Sequence, residues 1–130
     1  MSAADGRCPR GLGKLGEEYA AGIYRRRGYE ILARNYCVRG GELDIVAAND
    51  GFLVFVEVKT RREGSISTPS ESVTAAKRRR LSYAANAYLG AHPEALNQVR
   101  QPRFDVVEIY AREGRLTRFR ILENAFFPEG

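Results

Sequence analysis

The chain has 130 residues, a length usual for one domain, and 44% of them are hydrophobic, which is enough for a core without metal or disulfide support. It contains no apolar run of membrane-spanning length, its first residues lack the apolar region of a signal peptide, and two cysteines with one histidine form neither a disulfide framework nor a zinc spacing. We therefore expect a cytoplasmic protein with two free thiols, Cys8 and Cys37, and no membrane partner, while the net charge of +5 is equally compatible with a nucleic-acid partner and with an unspecialised basic domain.

The N-terminal residues are predicted to form a loose tail. Residues 1–10 show little hydrophobic periodicity and contain Asp5-Gly6 and Pro9, both of which favour irregular backbone. We therefore expect a tail over these residues and a single domain over residues 11–130.

A helix and a strand are predicted after the tail. The helix should begin near Gly11 and end at Gly28, which follows a run of three arginines. Its predicted apolar face consists of Leu12, Leu15, Tyr19, Ala20 and Ile23. A strand over residues 29–36 is predicted next, and it ends in the turn-prone Arg39-Gly40-Gly41.

The next segment has the pattern of a β-hairpin. Two strands, over residues 42–48 and 52–61, are separated by Asn49-Asp50-Gly51, a typical hairpin turn in which Gly51 can adopt the positive φ that such turns demand. This hairpin sets the register on which the site prediction depends.

A loop and a long helix are predicted after the hairpin. Residues 63–72 are rich in Ser, Gly and Pro, and the stretch 68–71 has the form of a helix capping box. The helix should cover residues 74–90, with Gly90 and Pro93 ending it. Its apolar side chains are Val73, Leu81, Ala84, Ala85 and Tyr88.

The C-terminal part is predicted to form two further strands. They cover residues 103–110 and 116–123, flank a turn at Gly114, and are followed by residues 125–127, which should pack on the core. Because a helix lies between strands 52–61 and 103–110, these two strands should be parallel and joined by a right-handed connection. The predicted fold is α/β, a mixed sheet flanked by helices in the order α-β-β-β-α-β-β.

Strand 52–61 places candidate catalytic side chains on one face of the sheet. Because side chains alternate along a strand, Glu57 and Lys59 share a face with Leu53 and Phe55. That face is partly interior, where charged residues are rarely placed without a function.

The hairpin register brings two carboxylates together. With a two-residue turn, or a four-residue loop, Asp44 faces Glu57 and Glu42 faces Lys59. Opposed carboxylates repel each other unless a positive charge lies between them, and Mg²⁺ or Mn²⁺ would fill that role with carboxylate, water and phosphate oxygens. A lysine two residues beyond a ligand can orient or deprotonate an attacking water.

Two alternatives remain open at this point. Glu57 and Lys59 could be ordinary polar residues on a solvated sheet face, with Glu42 pairing to Lys59. A three-residue loop would instead shift the register and place Asp44 opposite Val56.

The basic residues are unevenly distributed. Of the 21 cations only Lys14, Lys59 and Lys77 are lysines, so a lysine at position 59, where an amine could accept a proton, is informative. Lys77 should point inward from the start of its helix, either toward a phosphate or as a lysine that extends to solvent. The predicted nucleic-acid contacts are Arg61, Arg62, Lys77, Arg78, Arg79 and Arg80, with a further basic cluster at Arg25, Arg26 and Arg27.

Several segments resemble the YraN-like family of bacterial proteins. That family is similar to archaeal Holliday-junction resolvases and belongs to the restriction-endonuclease-like PD-(D/E)XK superfamily. The residues that carry the resemblance are Gly16-Glu17-Glu18-Tyr19-Ala20, residues 28–36 (GYEILARNY), Gly41-Glu42-Leu43-Asp44-Ile45, residues 54–61 (VFVEVKTR) and Arg103-Phe104-Asp105-Val106-Val107.

The resemblance implies roles for individual residues. Asp44 and Glu57 would be the metal-binding acids and Lys59 the superfamily lysine. Glu17 would be the acid that resolvase-like members carry on the first helix, with Glu18 as a competing candidate. Leu43 stands where the superfamily motif has proline, a form usual in the resolvase-like branch.

The function implied is metal-dependent hydrolysis of DNA phosphodiester bonds with Mg²⁺ or Mn²⁺, and branched or single-stranded DNA are candidate substrates. Cleavage of both strands would need two active sites, which favours a homodimer. The alternative is a nucleic-acid-binding module that keeps the nuclease fold with weak or no catalysis. A purely structural scaffold would show no affinity for nucleic acid.

Overall fold

The computed structural model describes residues 14–64, 74–96 and 100–126. The elements are helix α1 (Lys14–Arg26), strands β1 (Glu30–Val38), β2 (Gly41–Ala48) and β3 (Phe52–Arg62), helix α2 (Ala75–Ala91), and strands β4 (Gln101–Arg112) and β5 (Arg115–Phe126), with a short 3-10 turn at Pro93–Ala95. The predicted order α-β-β-β-α-β-β and the α/β class are confirmed. The predicted tail, helix start at Gly11 and capping box at 68–71 lie outside the described residues.

The strands form one mixed sheet in the order β1-β2-β3-β4-β5. Neighbouring strands are antiparallel except β3 and β4, which are parallel over their whole length. The parallel pairing predicted from the intervening helix is confirmed. β4 and β5 both extend beyond their predicted bounds, and Phe126 in β5 pairs with Phe104. The packing of residues 125–127 on the core stays a prediction, because residue 127 lies outside the described residues.

The hairpin between β2 and β3 has the predicted register. Ala48 pairs with Leu53 and Ile45 pairs with Val56, so each step back along β2 is matched by one step forward along β3. The alternative with a three-residue loop is therefore wrong. The prediction of a positive φ at Gly51 is also wrong. The Asn49 side chain closes this turn instead, because its Oδ1 accepts hydrogen bonds from the backbone N–H groups of Gly51 and Phe52 at 3.0 and 2.8 Å.

The face that α1 presents to the sheet differs from the predicted apolar stripe. Leu15 and Tyr19 are 61% and 36% exposed, so their predicted burial is wrong. Glycine at position 16 allows the close contact of α1 with β3: a Cβ there would lie 2.4 Å from Thr60 Oγ1, so a larger residue would force the Thr60 side chain to shift. The residues buried on α1 are Gly16, Glu17, Ala20, Ala21, Ile23 and Tyr24.

α2 begins as predicted and ends slightly later. Thr74 is its N-cap, and its hydroxyl accepts a hydrogen bond from the backbone N–H of Lys77 at 3.2 Å. Gly90 does not end the helix, which continues to Ala91 and is closed by the His92 N–H donating to Tyr88 O.

The core has one layer on each face of the sheet. One contains α2 side chains such as Leu81 and Tyr88 packed on Phe55, and the other contains α1 side chains packed on Val54 and Val56. The alternation predicted for β3 is therefore confirmed. Neither α1 nor α2, the helices of the described residues, has the length and hydropathy of a membrane span.

Cys37 is disulfide-bonded, so the prediction of a free thiol at this position is wrong. Cys8 lies outside the described residues.

Candidate active site

The candidate site lies where the pairing of β2 with β3 ends. After the Ile45 and Val56 pair, the Asp44 carboxylate replaces a backbone partner: its Oδ2 accepts a hydrogen bond from the Val58 N–H at 2.8 Å. Asp44 is thereby held beside the peptide that follows Glu57, and it is only 3% exposed. The observed register, continued by one position, would place Asp44 opposite Glu57, and the hydrogen bond to Val58 holds Asp44 beside the next residue of β3.

Glu57 is bound by two ammonium groups. Its Oε2 lies 2.6 Å from Lys77 Nζ and 3.8 Å from Lys59 Nζ. The Glu57 side chain is 7% exposed, whereas those of Lys59 and Lys77 are 31% and 26% exposed. Lys77 points inward as predicted, and it supplies from within the chain a positive charge that the sequence analysis assigned to a metal ion.

The two lysines have opposite electrostatic environments. Burial and the neighbouring Lys77 ammonium lower the pKa of Lys59, and the attraction of Glu57 opposes this only in part. Burial also acts to lower the pKa of Lys77, but the Glu57 carboxylate outweighs it, so the pKa of Lys77 is raised. Of the two ammonium groups, that of Lys59 releases its proton more readily.

The donor set fits a hard divalent cation with two protein ligands. Asp44 and Glu57 offer carboxylate oxygens, which Mg²⁺ and Mn²⁺ prefer, and Mg²⁺ sites commonly use one or two carboxylates together with waters and substrate phosphate. Across the described ranges, no group of three His, Cys, Asp or Glu side chains is placed to hold a metal by itself. The Lys77 ammonium would compete with an ion for the Glu57 carboxylate.

The structure separates the two acidic candidates on α1. Glu17 is 2% exposed and lies in the helix face that packs on the sheet. Glu18 points to solvent, with a 54% exposed side chain that pairs with Arg34 at 3.0 Å. Glu17 is therefore the inward residue of the two, and its role toward a metal stays a prediction.

The predicted nucleic-acid contacts have different environments. Arg61 is 17% exposed and its Nε donates to Glu108 Oε2 at 2.7 Å, so its charge is balanced inside the protein. Arg62, Arg79 and Arg80 are exposed, and Arg78 is half-buried. Arg62 is the last residue of β3, and Arg79 and Arg80 follow Lys77 in the first turns of α2.

Glu108 is a residue that the sequence analysis missed. It is fully buried, and its register position in β4 is beside Lys59. Tyr110 OH donates to its Oε1 at 2.7 Å, and Arg61 occupies the other oxygen. Burial would raise the pKa of Glu108, but the hydrogen bonds from Tyr110 and Arg61 outweigh it and lower this pKa. A lone glutamate inside the apolar run Val106-Val107-Glu108-Ile109-Tyr110 was the available signal.

Comparison with known proteins places the site in a family. The family model described as "Uncharacterised protein family UPF0102" matches residues 16–109, a span that contains Glu17, Asp44, Glu57, Lys59 and Glu108. The chain belongs to the UPF0102 family. The resemblance to the YraN-like family is thereby confirmed at the level of the family.

Relatives match over most of their length. A UPF0102 protein of Symbiobacterium thermophilum is 48% identical over 121 residues, which cover 90% of this chain and 97% of the relative. One from Syntrophomonas wolfei is 44% identical over 117 residues, covering 90% and 98% of the two chains. One from Roseiflexus castenholzii is 51% identical over 98 residues, covering 75% and 77%. The alignment therefore covers nearly the whole length of the relatives from Symbiobacterium thermophilum and Syntrophomonas wolfei.

Proposed function

We propose that this UPF0102 protein is a metal-dependent endonuclease-like protein of the PD-(D/E)XK type that hydrolyses phosphodiester bonds in DNA. The observation that carries the proposal is the meeting of buried Asp44, buried Glu57 and half-buried Lys59 at the point where β2 and β3 stop pairing. Charged side chains are rarely buried without a task, and this pair of acids with a lysine suits metal-assisted hydrolysis.

The residues of the candidate site would have different roles. Asp44 and Glu57 would hold Mg²⁺ or Mn²⁺ through their carboxylate oxygens, and the Asp44 hydrogen bond to the Val58 N–H orients one of these carboxylates in advance. Lys59 Nζ would position the attacking water by a hydrogen bond. When bound, the ion supplies a more acidic water and offsets charge on the scissile phosphate.

The exposed arginines Arg62, Arg79 and Arg80 would bind phosphates on either side of the site. Arg78 is a further candidate on the same helix. Arg61 is not included among these contacts because it is engaged by buried Glu108. A homodimer with two such sites remains the expectation for cleavage of both strands.

A second function is favoured by one observation. The 2.6 Å contact between Lys77 Nζ and Glu57 Oε2 occupies a metal-binding carboxylate, which would suit a nucleic-acid-binding module with weak or no catalysis. The two functions share DNA affinity and differ only in metal-dependent cleavage.

The test of the proposed function is cleavage of branched, single-stranded and duplex DNA with Mg²⁺ or Mn²⁺. We expect cleavage by the parent, and a loss of more than about 100-fold for Asp44→Asn or Glu57→Gln, because removing a ligand should cost at least as much as disturbing an outer partner of a ligand. Both variants should also lose Mn²⁺ affinity in calorimetric titration. Lys59→Ala should lose activity with a smaller effect on Mn²⁺ binding.

Asp50→Asn is the matched control for Asp44→Asn, because Asp50 is exposed in the turn of the same hairpin. It should cut DNA and bind Mn²⁺ like the parent. DNA binding without any metal-dependent cleavage would support the binding module instead, and parent-like cleavage by Asp44→Asn would refute the site.

A further inference from the structure

The face of the sheet beside the candidate site carries two rows of polar side chains across three strands. The register places Lys59 of β3 beside Glu108 of β4, which faces Arg120 of β5. The next row on the same face contains Arg61, Tyr110 and Arg118. This part of the sheet lies beyond the apolar layer under α2.

Arg120 is held by the buried carboxylate and remains open to solvent. Its Nη2 lies 3.4 Å from Glu108 Oε1, while its side chain is 52% exposed. A guanidinium has five N–H donors in a planar fork, so this contact leaves donors available to a ligand. Glu108 thus orients Arg120 without enclosing it.

Arg118 is positioned by an aromatic ring and a carboxylate. Its Cζ lies 3.8 Å from the centre of the Tyr110 ring, and its Nε donates to Glu63 Oε1 at 3.1 Å. The side chain is 54% exposed. Stacking on Tyr110 lowers the mobility of the guanidinium, so less conformational entropy is lost when it binds a ligand.

The two rows together have an excess of positive charge. Lys59, Arg61, Arg118 and Arg120 contribute four cations, and the carboxylates that they contact are three, Glu57, Glu63 and Glu108. Neighbouring strands are about 4.8 Å apart, so the backbone at Arg120 lies about 9.6 Å from that at Lys59. A ligand that reaches Lys59 can therefore extend directly onto the exposed arginines.

We propose that Arg118 and Arg120 form a phosphate-binding platform that holds the nucleic-acid backbone on the β5 side of the candidate site, with Glu108 as the residue that positions Arg120. This inference rests on the proposed function, because it requires a nucleic acid as the ligand. It adds contacts on β5 to those of β3 and α2, and so assigns the path of the backbone across the sheet. The platform contacts phosphate and therefore binds without sequence preference.

The test measures DNA binding without cleavage. A fluorescein-labelled DNA duplex and one of its single strands are titrated with protein in EDTA over a series of NaCl concentrations, with fluorescence anisotropy as the readout. For Arg118→Gln combined with Arg120→Gln, the slope of log K against log salt for the duplex should become less steep by about 1.8, since each lost phosphate contact removes about 0.9. Affinity at low salt should fall as well.

Arg25→Gln combined with Arg26→Gln is the matched control. These exposed arginines end α1, which packs on the other face of the sheet, so the fold does not bring this basic cluster to the face of the candidate site, while their loss removes the same charge. Its slope should stay close to that of the parent. Arg118→Gln alone leaves the Glu108 contacts intact and should make the slope less steep by about 0.9. This single variant replaces the double variant as the test if the double variant melts at a lower temperature.

A change no larger than that of the control pair would overturn the proposal. The result is separable from the proposed function. A parent that binds DNA with this dependence on Arg118 and Arg120 but does not cut it supports the platform and refutes the nuclease, and a parent that cuts DNA while both variants bind like the control refutes the platform alone.

Discussion

Two groups of buried charged side chains lie on opposite faces of the sheet. On the α1 face, Asp105 is 1% exposed and accepts hydrogen bonds from Tyr24 OH at 2.6 Å, from Arg103 at 2.9 and 3.0 Å, and from the Asn124 N–H at 3.0 Å. On the α2 face, Glu57 contacts two half-buried ammonium groups through one oxygen.

Asp105 and Glu57 are both buried, but their partners differ. The partners of Asp105 come from α1, β4 and β5 and use both of its oxygens, so this carboxylate is satisfied by the fold. Burial raises the pKa of Tyr24 most, and the negative charge of Asp105 raises this pKa further, so the Tyr24 hydroxyl stays protonated and donates its hydrogen bond. The partners of Glu57 are long lysine side chains that can move to another anion. Burial alone therefore does not mark a site, but burial with exchangeable partners does.

The largest expected effect is from Asp105→Asn. It should destabilise the protein by about 3–5 kcal/mol in denaturant unfolding, because the buried Arg103 guanidinium loses its carboxylate. Mn²⁺ affinity of the folded fraction should not change. Asp50→Asn, at an exposed position, should stay within about 0.5 kcal/mol of the parent. A loss of stability no greater than that of this control would remove the distinction drawn between the two faces.

A smaller effect is expected from Glu108→Gln. This carboxylate is buried like Asp105, but one of its partners, Arg120, is exposed to solvent. The variant should lose about 3 kcal/mol near neutral pH, because Arg61 is left without its buried partner. The pKa of Glu108 is lowered from its ordinary value of 4.5, so its contribution is fully present above that value and disappears as the pH falls through the folded-state pKa.

The difference in unfolding free energy between the parent and Glu108→Gln should therefore narrow below pH 4.5. Urea titrations at neutral and acidic pH measure it. Glu113→Gln, at an exposed turn position, is the control and should show no such pH dependence. A difference that stays constant with pH would mean that the ion pair contributes nothing to stability.

The smallest expected effect is from Lys77→Met. Mn²⁺ affinity should rise by about tenfold, equivalent to about 1.4 kcal/mol, because the ion would no longer compete with an ammonium for Glu57. DNA affinity should fall slightly as a cation is lost. Arg79→Met on the same helix removes an equal charge away from Glu57 and should leave Mn²⁺ affinity unchanged. Weaker Mn²⁺ binding by Lys77→Met would show that Lys77 supports the metal site instead of opposing it.

The sequence by itself determined the local geometry of the candidate site. The turn at Asn49-Asp50-Gly51 sets which residues face each other, so the approach of Asp44 to the backbone that follows Glu57 was predictable. Alternation along β3 then placed Glu57 and Lys59 on one face, and the helix between β3 and β4 required parallel strands. These features depend on chain periodicity and on short connections, which a single sequence contains.

Only the tertiary structure decided which charges are neutralised and by what. Lys77 reaches Glu57, Arg61 reaches Glu108, and Arg118 stacks on Tyr110 because helix packing and sheet order bring together residues that are distant in sequence. The face of α1 was misassigned for the same reason: Gly16 permits close contact with Thr60, and this contact turns Leu15 to solvent and Glu17 inward. Ion pairing and burial depend on the distance between elements, and no periodicity within one element encodes that distance.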